Sequence, residues 1–288
     1  MHADIEQAPE KLIMPNKSMP KKAPRNNALF AAQRYVPLRK LNDIFIESQL
    51  AVQGLKTIRA DFAARQAKKQ TRYRLLAPSI KAEPVGLSRN ISTIIELVDA
   101  RISSKEYVQS LVFSIALIED YISTCLTLII RAYPQKLLTS AKGKQAAEDE
   151  IKTIMLKDVI EAKSIGDLIS DKAEKRVRDA LYATPTQLKG YMASIFGFAI
   201  KDDIWGKYVE LKATRDIYVH GDGRANDIYV GKAGALARAK RGDMLPIDSA
   251  YFNDSIVCLK NVLTDVYRGL KSKYGDSAEV HKILKTTP

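Results

Sequence analysis

The stretch "RDIYVHGDGRAN", residues 215–226, holds the side chains of this chain best suited to chemistry. Arg215 precedes His220 by five positions, and His220 is the one histidine of three that lies away from the chain ends. An imidazole can transfer protons near neutral pH, as general acid–base catalysis requires. A helix end at His220 would favour the imidazolium, whereas the charge of Arg215 would oppose it. The spacing also fits a structural alternative, in which the arginine pairs with an acid and the histidine caps carbonyl groups.

The residues before His220 predict the element that carries this pair. Apolar side chains recur there at helical spacing and Gly221 follows, so we expect an amphipathic helix over about 202–220. Five residues along an α-helix rotate by about 140°, so Arg215 and His220 would not share one face. A working pair would need His220 to turn back at the helix end, or a second chain to complete the pocket. The apolar positions are Trp205, Tyr208, Val209 and Leu211.

Other motifs exclude several kinds of site. Three histidines are too few for a multi-histidine zinc or di-iron cluster, and HExxH is absent. "GDGRAN" ends in asparagine and follows a predicted helix, so it is not a dinucleotide fingerprint. "GKAG" at 231–234 lacks the first glycine and the Ser or Thr of a P-loop, and GxSxG is absent. We therefore expect a site that uses neither a metal ion nor a cofactor.

The charge balance indicates a polyanionic partner. The chain has 46 Lys and Arg against 33 Asp and Glu, a formal net charge of +13, and a pI of about 9.5. Such an excess favours RNA, DNA or an anionic membrane surface. Hydrophobic residues make up 46% of the chain, which is enough for a packed core.

Cysteine usage and hydropathy favour a cytoplasmic protein without a membrane span. Cys125 and Cys258 each lie in an apolar run, where buried unreactive thiols are expected and not a disulfide. The most apolar window, 111–130, carries Glu119 and Asp120 at its centre, which predicts a buried helix. The first residues lack the basic and apolar regions of a signal peptide.

Composition divides the chain into three regions and predicts an all-α fold. Residues 1–28 predict a flexible basic arm, 29–85 a basic helical region, and 86–288 a helical domain. Residues 221–246 are glycine-rich and predict an irregular insert with a short hairpin at "DIYV". The expected helices cover about 36–77, 88–102, 104–131, 145–165, 167–182, 185–198, 202–220 and 248–274, with a linker at 77–86.

A cluster of cations lies in the N-terminal third. Residues 1–90 hold 17 Lys and Arg against 7 Asp and Glu, a net charge of +10. The cluster suits RNA, because cations contact phosphates and an interleaved tyrosine can stack on a base. The alternative is a solvated helix face or a docking surface for a partner protein. The residues predicted to bind RNA are Lys68, Lys69, Arg72, Tyr73 and Arg74.

The motif region resembles the HEPN superfamily, whose hallmark is R-x4–6-H with a polar residue directly after the arginine. Asp216 occupies that polar position. "VHGDGRAN" is similar to the "VHNxGxxN" run of the RiboL-PSP and abortive-infection members, with Val219, His220, Gly223 and Asn226 matching. Two common asparagines are replaced, by Asp216 and by Gly221.

A looser resemblance extends over about 88–275. "SIALIEDYISTCLTLI" resembles the first long helix of these proteins, and Glu119 matches a recurring acid. An ordinary ion-paired glutamate is the alternative for Glu119. Residues 1–85 match no part of the family.

The resemblance implies a HEPN-like helical bundle and a metal-independent endoribonuclease that works as a homodimer on RNA. It implies that Arg215 holds the scissile phosphate, that His220 transfers a proton, and that Asp216 orients one of them. The products would carry 2′,3′-cyclic phosphate and 5′-hydroxyl ends. Members of this kind act as effectors of toxin–antitoxin or phage-defence systems, so an antitoxin or regulatory protein is a candidate partner.

Two other classes of function stay open. The first is a non-catalytic HEPN-like module that binds RNA, a nucleotide or a protein; the replacements at Asp216 and Gly221 favour it, whereas Arg215 and His220 favour the enzyme. The second is a basic DNA- or RNA-binding helical protein, for which the motif is a coincidence.

Overall fold

The computed structural model describes residues 25–80, 83–139 and 156–286. Within these ranges the chain is helical apart from one two-stranded hairpin, which confirms the all-α prediction. Most of the predicted arm and most of the predicted helix at 145–165 lie outside the described residues. The elements are α1 Arg25–Ala67, β1 Arg72–Ala77, β2 Val85–Asn90, α2 Ile91–Ala100, α3 Glu106–Ala132, α4 Leu156–Glu161, α5 Ile165–Leu181, α6 Pro185–Phe196, α7 Asp202–His220, α8 Asp227–Ala233, α9 Ser249–Tyr274 and α10 Ala278–Thr286.

Helix α3 lies at the centre of the core. Its fully buried residues recur every three or four positions, so one apolar stripe runs along the helix. The stripe packs against α1, α5, α7 and α9, whose own buried residues belong to the same hydrophobic cluster. The stripe includes Leu111, Ile115, Ile118, Ile122, Leu126 and Ile129.

One π-helical turn, Arg101–Lys105, joins α2 to α3, so the helix is continuous where the sequence predicted a break. By length and composition, Ile91–Ala132 could cross a membrane, with a mean hydropathy of 1.6 in its most apolar window. More than half of that window (56%) is buried inside the protein. This burial matches the core helix predicted from Glu119 and Asp120.

The N-terminal helix is longer at its start and shorter at its end than predicted. It begins at Arg25, so the last four residues of the predicted arm are helical, and it ends at Ala67. Leu41 and Val52 are buried in the same cluster as α3 and α9. The basic N-terminal region therefore shares the core of the rest of the chain.

Residues predicted as a helix end and a linker form a β-hairpin. Strands β1 and β2 pair antiparallel, with Arg72 opposite Asn90 and Ala77 opposite Val85. The hairpin rests on the end of α1, where the Tyr73 ring meets the Phe62 ring edge-on at 5.0 Å. Helical spacing failed as a predictor here because cross-strand pairing, which no local pattern encodes, decided the conformation.

The glycine-rich insert contains a helix where a hairpin was expected. Asn226 is the N-cap of α8, and its side chain accepts a hydrogen bond from the Tyr229 amide at 2.9 Å. The only strand-like contact in the described insert is one bridge between Arg224 and Met244. The capping asparagine thus favours a helix over the alternation in "DIYV".

The residues after Tyr274 also differ from the expected tail. They form α10, which buries Val280 and Leu284 in the core. His281 lies in this helix, only 6% exposed, with Nδ1 2.7 Å from the Ser277 carbonyl oxygen. Both cysteines are buried as predicted, and burial raises the pKa of each thiol to about 12.

Candidate active site

Helix α7 carries the predicted pair and has the predicted bounds, Asp202–His220. Trp205, Tyr208 and Leu211 are buried and fix one face of the helix in the core. The helix ends at His220 because the chain turns into extended backbone at Gly221, which has φ −149°. A Cβ at Gly221 would lie 2.9 Å from the Ile217 carbonyl oxygen, so the backbone approaches closely there.

A cavity of about 990 Å³ opens beside the C-terminal half of α7. It is lined by α5, α7 and α8 and by one residue of α3. Arg215 and His220 both line it, although the predicted 140° offset argued against a shared face. Residues 212, 216 and 219 between them on the helix also line the cavity, which therefore spans that arc.

The structure brings most of the sequence-predicted residues to this one cavity. Besides Arg215 and His220, it is lined by Glu119, Asp216, Gly221 and Asn226. Gly223 lies behind it, at φ +83°, where a Cβ would lie 2.7 Å from the Tyr218 ring. This glycine is needed for the loop conformation, because the left-handed region disfavours other residues.

Glu119 anchors Arg215 from the neighbouring helix α3. Arg215 Nη2 donates to both Glu119 oxygens, at 3.0 and 3.2 Å, and Lys212 Nζ lies 2.7 Å from the same carboxylate. Arg215 Nε is buried and lies 3.1 Å from Asp216 Oδ1 without forming a hydrogen bond. Nη1 makes no hydrogen bond to any described residue, so this nitrogen is available to an incoming ligand.

His220 differs from Arg215 in its surroundings. It is exposed at the end of α7 and makes no hydrogen bond or ion pair with any residue that the structure describes. The capping role considered for it is therefore not seen here. An imidazole in this position can approach a ligand in the cavity without breaking a contact.

The other two predicted supporting residues have structural partners. Asp216 forms an ion pair with Lys232 of α8 at 3.2 Å, besides its contact with Arg215. Asn226 caps α8, which brings Ile228 and Lys232 to the cavity. These contacts hold α8 against α7 and shape one wall of the cavity.

Sequence reasoning missed a buried polar network behind the cavity. Glu210 of α7 is 5% exposed and accepts hydrogen bonds from Arg238 Nε at 3.1 Å and from the Tyr251 hydroxyl at 2.8 Å. Thr214 and Tyr229 also donate to it. Burial and the nearby carboxylate raise the pKa of the Tyr251 hydroxyl well above its ordinary range.

A signal for this network was present in the sequence. Glu210 lies three and seven positions before Ala213 and Ile217, so a helical wheel places it on their buried face. A carboxylate on such a face requires hydrogen-bonding partners. Arg238 could not be identified as its partner, because it lies in an irregular loop.

The predicted RNA-binding segment does not reach the cavity. Lys68 and Lys69 lie in the turn after α1, the other three residues lie in β1, and none of the five lines the cavity. Tyr73 packs against Phe62, and the Arg65 guanidinium lies 5.6 Å above its ring. Any contact of this segment with RNA is therefore separate from the Arg215–His220 pair.

In the three described ranges, no group of three or more His, Cys, Asp or Glu side chains is placed to hold a metal ion. Comparison of the chain with family models, curated proteins and solved structures finds no match. The function is therefore argued from the cavity itself.

Proposed function

We propose that this protein is a metal-independent endoribonuclease of HEPN-like type, with Arg215 and His220 as its catalytic residues. The observation that carries the proposal is that both side chains line one cavity, where Arg215 keeps a terminal nitrogen free of described partners. The cavity lining holds five Lys and Arg against three Asp and Glu, a balance that suits a phosphodiester.

The proposed reaction is an in-line attack within the RNA. His220 takes the proton of a ribose 2′-hydroxyl, the 2′-oxygen bonds to phosphorus, and the bond to the leaving 5′-oxygen breaks. That oxygen takes a proton and becomes a 5′-hydroxyl, and the other product carries a 2′,3′-cyclic phosphate. Arg215 stabilises the charge on the phosphoryl oxygens, and Glu119 positions its guanidinium.

The decisive experiment is incubation of the purified protein with total RNA in EDTA, followed by analysis of fragment ends. We expect cleavage without added metal, giving cyclic phosphate and 5′-hydroxyl ends. Arg215→Ala and His220→Ala should each abolish cleavage, while circular dichroism keeps its helical form. Arg241→Ala, in an exposed loop residue outside the cavity, is the matched control. Cleavage that requires magnesium, or survives in either mutant, refutes the proposal.

A non-catalytic RNA-binding module is the second candidate. One observation favours it: Glu119 and Asp216 both lie against Arg215 and offset its positive charge. This candidate predicts RNA binding without cleavage in the same experiment. The roles as a toxin or phage-defence effector, and the antitoxin partner, stay predictions from the resemblance.

A further inference from the structure

One wall of the cavity is formed by the C-terminal end of α5. Arg178 lies in its last turn and Tyr182 is its C-cap residue, and both line the cavity. Four positions apart at a helix end, the two side chains lie on one face. This wall was not recognised in the sequence, because neither residue belongs to a motif.

Tyr182 is unusual among the aromatic residues of the described chain. It is 87% exposed, the highest value for any described tyrosine, and no described ring or cation contacts it. Ile228 and Val219, also exposed, line the same cavity. An exposed aromatic face in a cavity rich in cations matches the two parts of a nucleotide, a flat base and a charged phosphate.

The size of the cavity fits more than one nucleotide. Its volume of about 990 Å³ lies at the upper end of the range of roughly 300–1,000 Å³ for small-molecule pockets. Cleavage at a phosphate requires the nucleotides on both of its sides to be held. A base can stack on a protein ring only when it is free of a duplex, so the fitting ligand is single-stranded RNA.

We infer that Tyr182 is a base-stacking residue that binds a nucleotide adjacent to the scissile phosphate, with Arg178 contacting the phosphate backbone beside it. The inference rests on the proposed function and specifies its substrate as unpaired RNA. It assigns the α5 wall to substrate positioning, and leaves the proton transfer and charge stabilisation to His220 and Arg215.

The test measures binding of a labelled 2′-O-methyl RNA oligonucleotide, which lacks the attacking hydroxyl and cannot be cleaved. A second oligonucleotide has the same backbone with every base removed. Tyr182→Ala should weaken binding of the intact oligonucleotide by about 5- to 150-fold, the equivalent of ~1–3 kcal/mol for one stacked base. It should leave binding of the abasic backbone unchanged. Tyr182→Phe should bind like the parent protein, and Arg178→Ala should weaken both ligands alike.

Tyr35→Ala is the matched control, because Tyr35 is also exposed (64%) and does not line the cavity. Unchanged binding in Tyr182→Ala, or equal loss on both oligonucleotides, overturns the stacking role. So does a loss of self-association in sedimentation with unchanged oligonucleotide binding, which would place Tyr182 between two copies of the chain. Failure of the parent protein to bind the intact oligonucleotide also overturns it. Cleavage of total RNA by the parent protein then decides separately whether the proposed function stands.

Discussion

Arg215 and Glu119 form a bidentate contact between α7 and α3, with Nη2 3.0 and 3.2 Å from the two carboxylate oxygens. Both side chains are about one-fifth exposed, so water screens this contact only partly. The same carboxylate pairs with Lys212, so one acid compensates two cations at the cavity wall. Glu119 therefore sets both the position of the guanidinium and the local charge.

Removing this carboxylate should affect activity and stability together. We expect Glu119→Gln to lower cleavage by about 10- to 100-fold, because a misplaced guanidinium stabilises the phosphoryl charge poorly. The free energy of unfolding should fall by about 1–2 kcal/mol, since two partly buried cations lose their partner. Urea denaturation and cleavage of a labelled RNA measure the two effects. Asp120→Asn, in the exposed neighbouring residue, should change neither, and a Glu119→Gln protein with parental activity would exclude the positioning role.

Mixing two inactive variants tests whether one chain holds a complete site. Since Arg215 and His220 of one chain line one cavity, we expect no recovery of cleavage when Arg215→Ala and His220→Ala proteins are mixed. Partial recovery would show instead that a site draws its arginine and histidine from different chains. Sedimentation at micromolar concentration, run in parallel, tests the proposed homodimer.

The basic segment after α1 should contribute affinity and not chemistry. Neutralising four of its cations should weaken RNA binding and flatten the log–log salt dependence by roughly two to three units, at ~0.7 per phosphate contact. Cleavage at saturating enzyme should be retained, because the segment does not line the cavity. An unchanged salt slope would show that the segment does not contact RNA. The variant replaces Lys68, Lys69, Arg72 and Arg74, and its control replaces the exposed residues Lys56, Lys157, Lys163 and Lys175.

Arg238 should be a major determinant of stability in the loop behind the cavity. It pairs with buried Glu210, donates to the Pro246 carbonyl oxygen at 2.7 Å, and lies 3.4 Å above the Tyr251 ring. Arg238→Ala should cost about 3 kcal/mol, because a buried carboxylate loses its charged partner. Arg241→Ala breaks an exposed pair in the same loop and should cost below ~1 kcal/mol. Equal unfolding midpoints for the two variants in urea would contradict this ranking.

The sequence alone determined the features that depend on neighbours within a few positions. Helix α7 has the predicted bounds, and α9 begins within one residue of its prediction, because apolar spacing and capping residues act locally. The Arg215–His220 pair was likewise visible as a spacing. Buried thiols and a buried α3 followed from the apolar runs around them.

Only the tertiary structure decided the features that join distant positions. The Glu119–Arg215 contact spans 96 positions and the Glu210–Arg238 pair 28, so neither has a local signature. The β1–β2 hairpin replaced a predicted helix end because cross-strand pairing overrode the local preference. The cavity itself is tertiary, since it exists only where α5 and α8 meet the last turns of α7. Local hydrogen bonding builds helices from neighbouring residues, whereas a site requires side chains that only chain packing brings together.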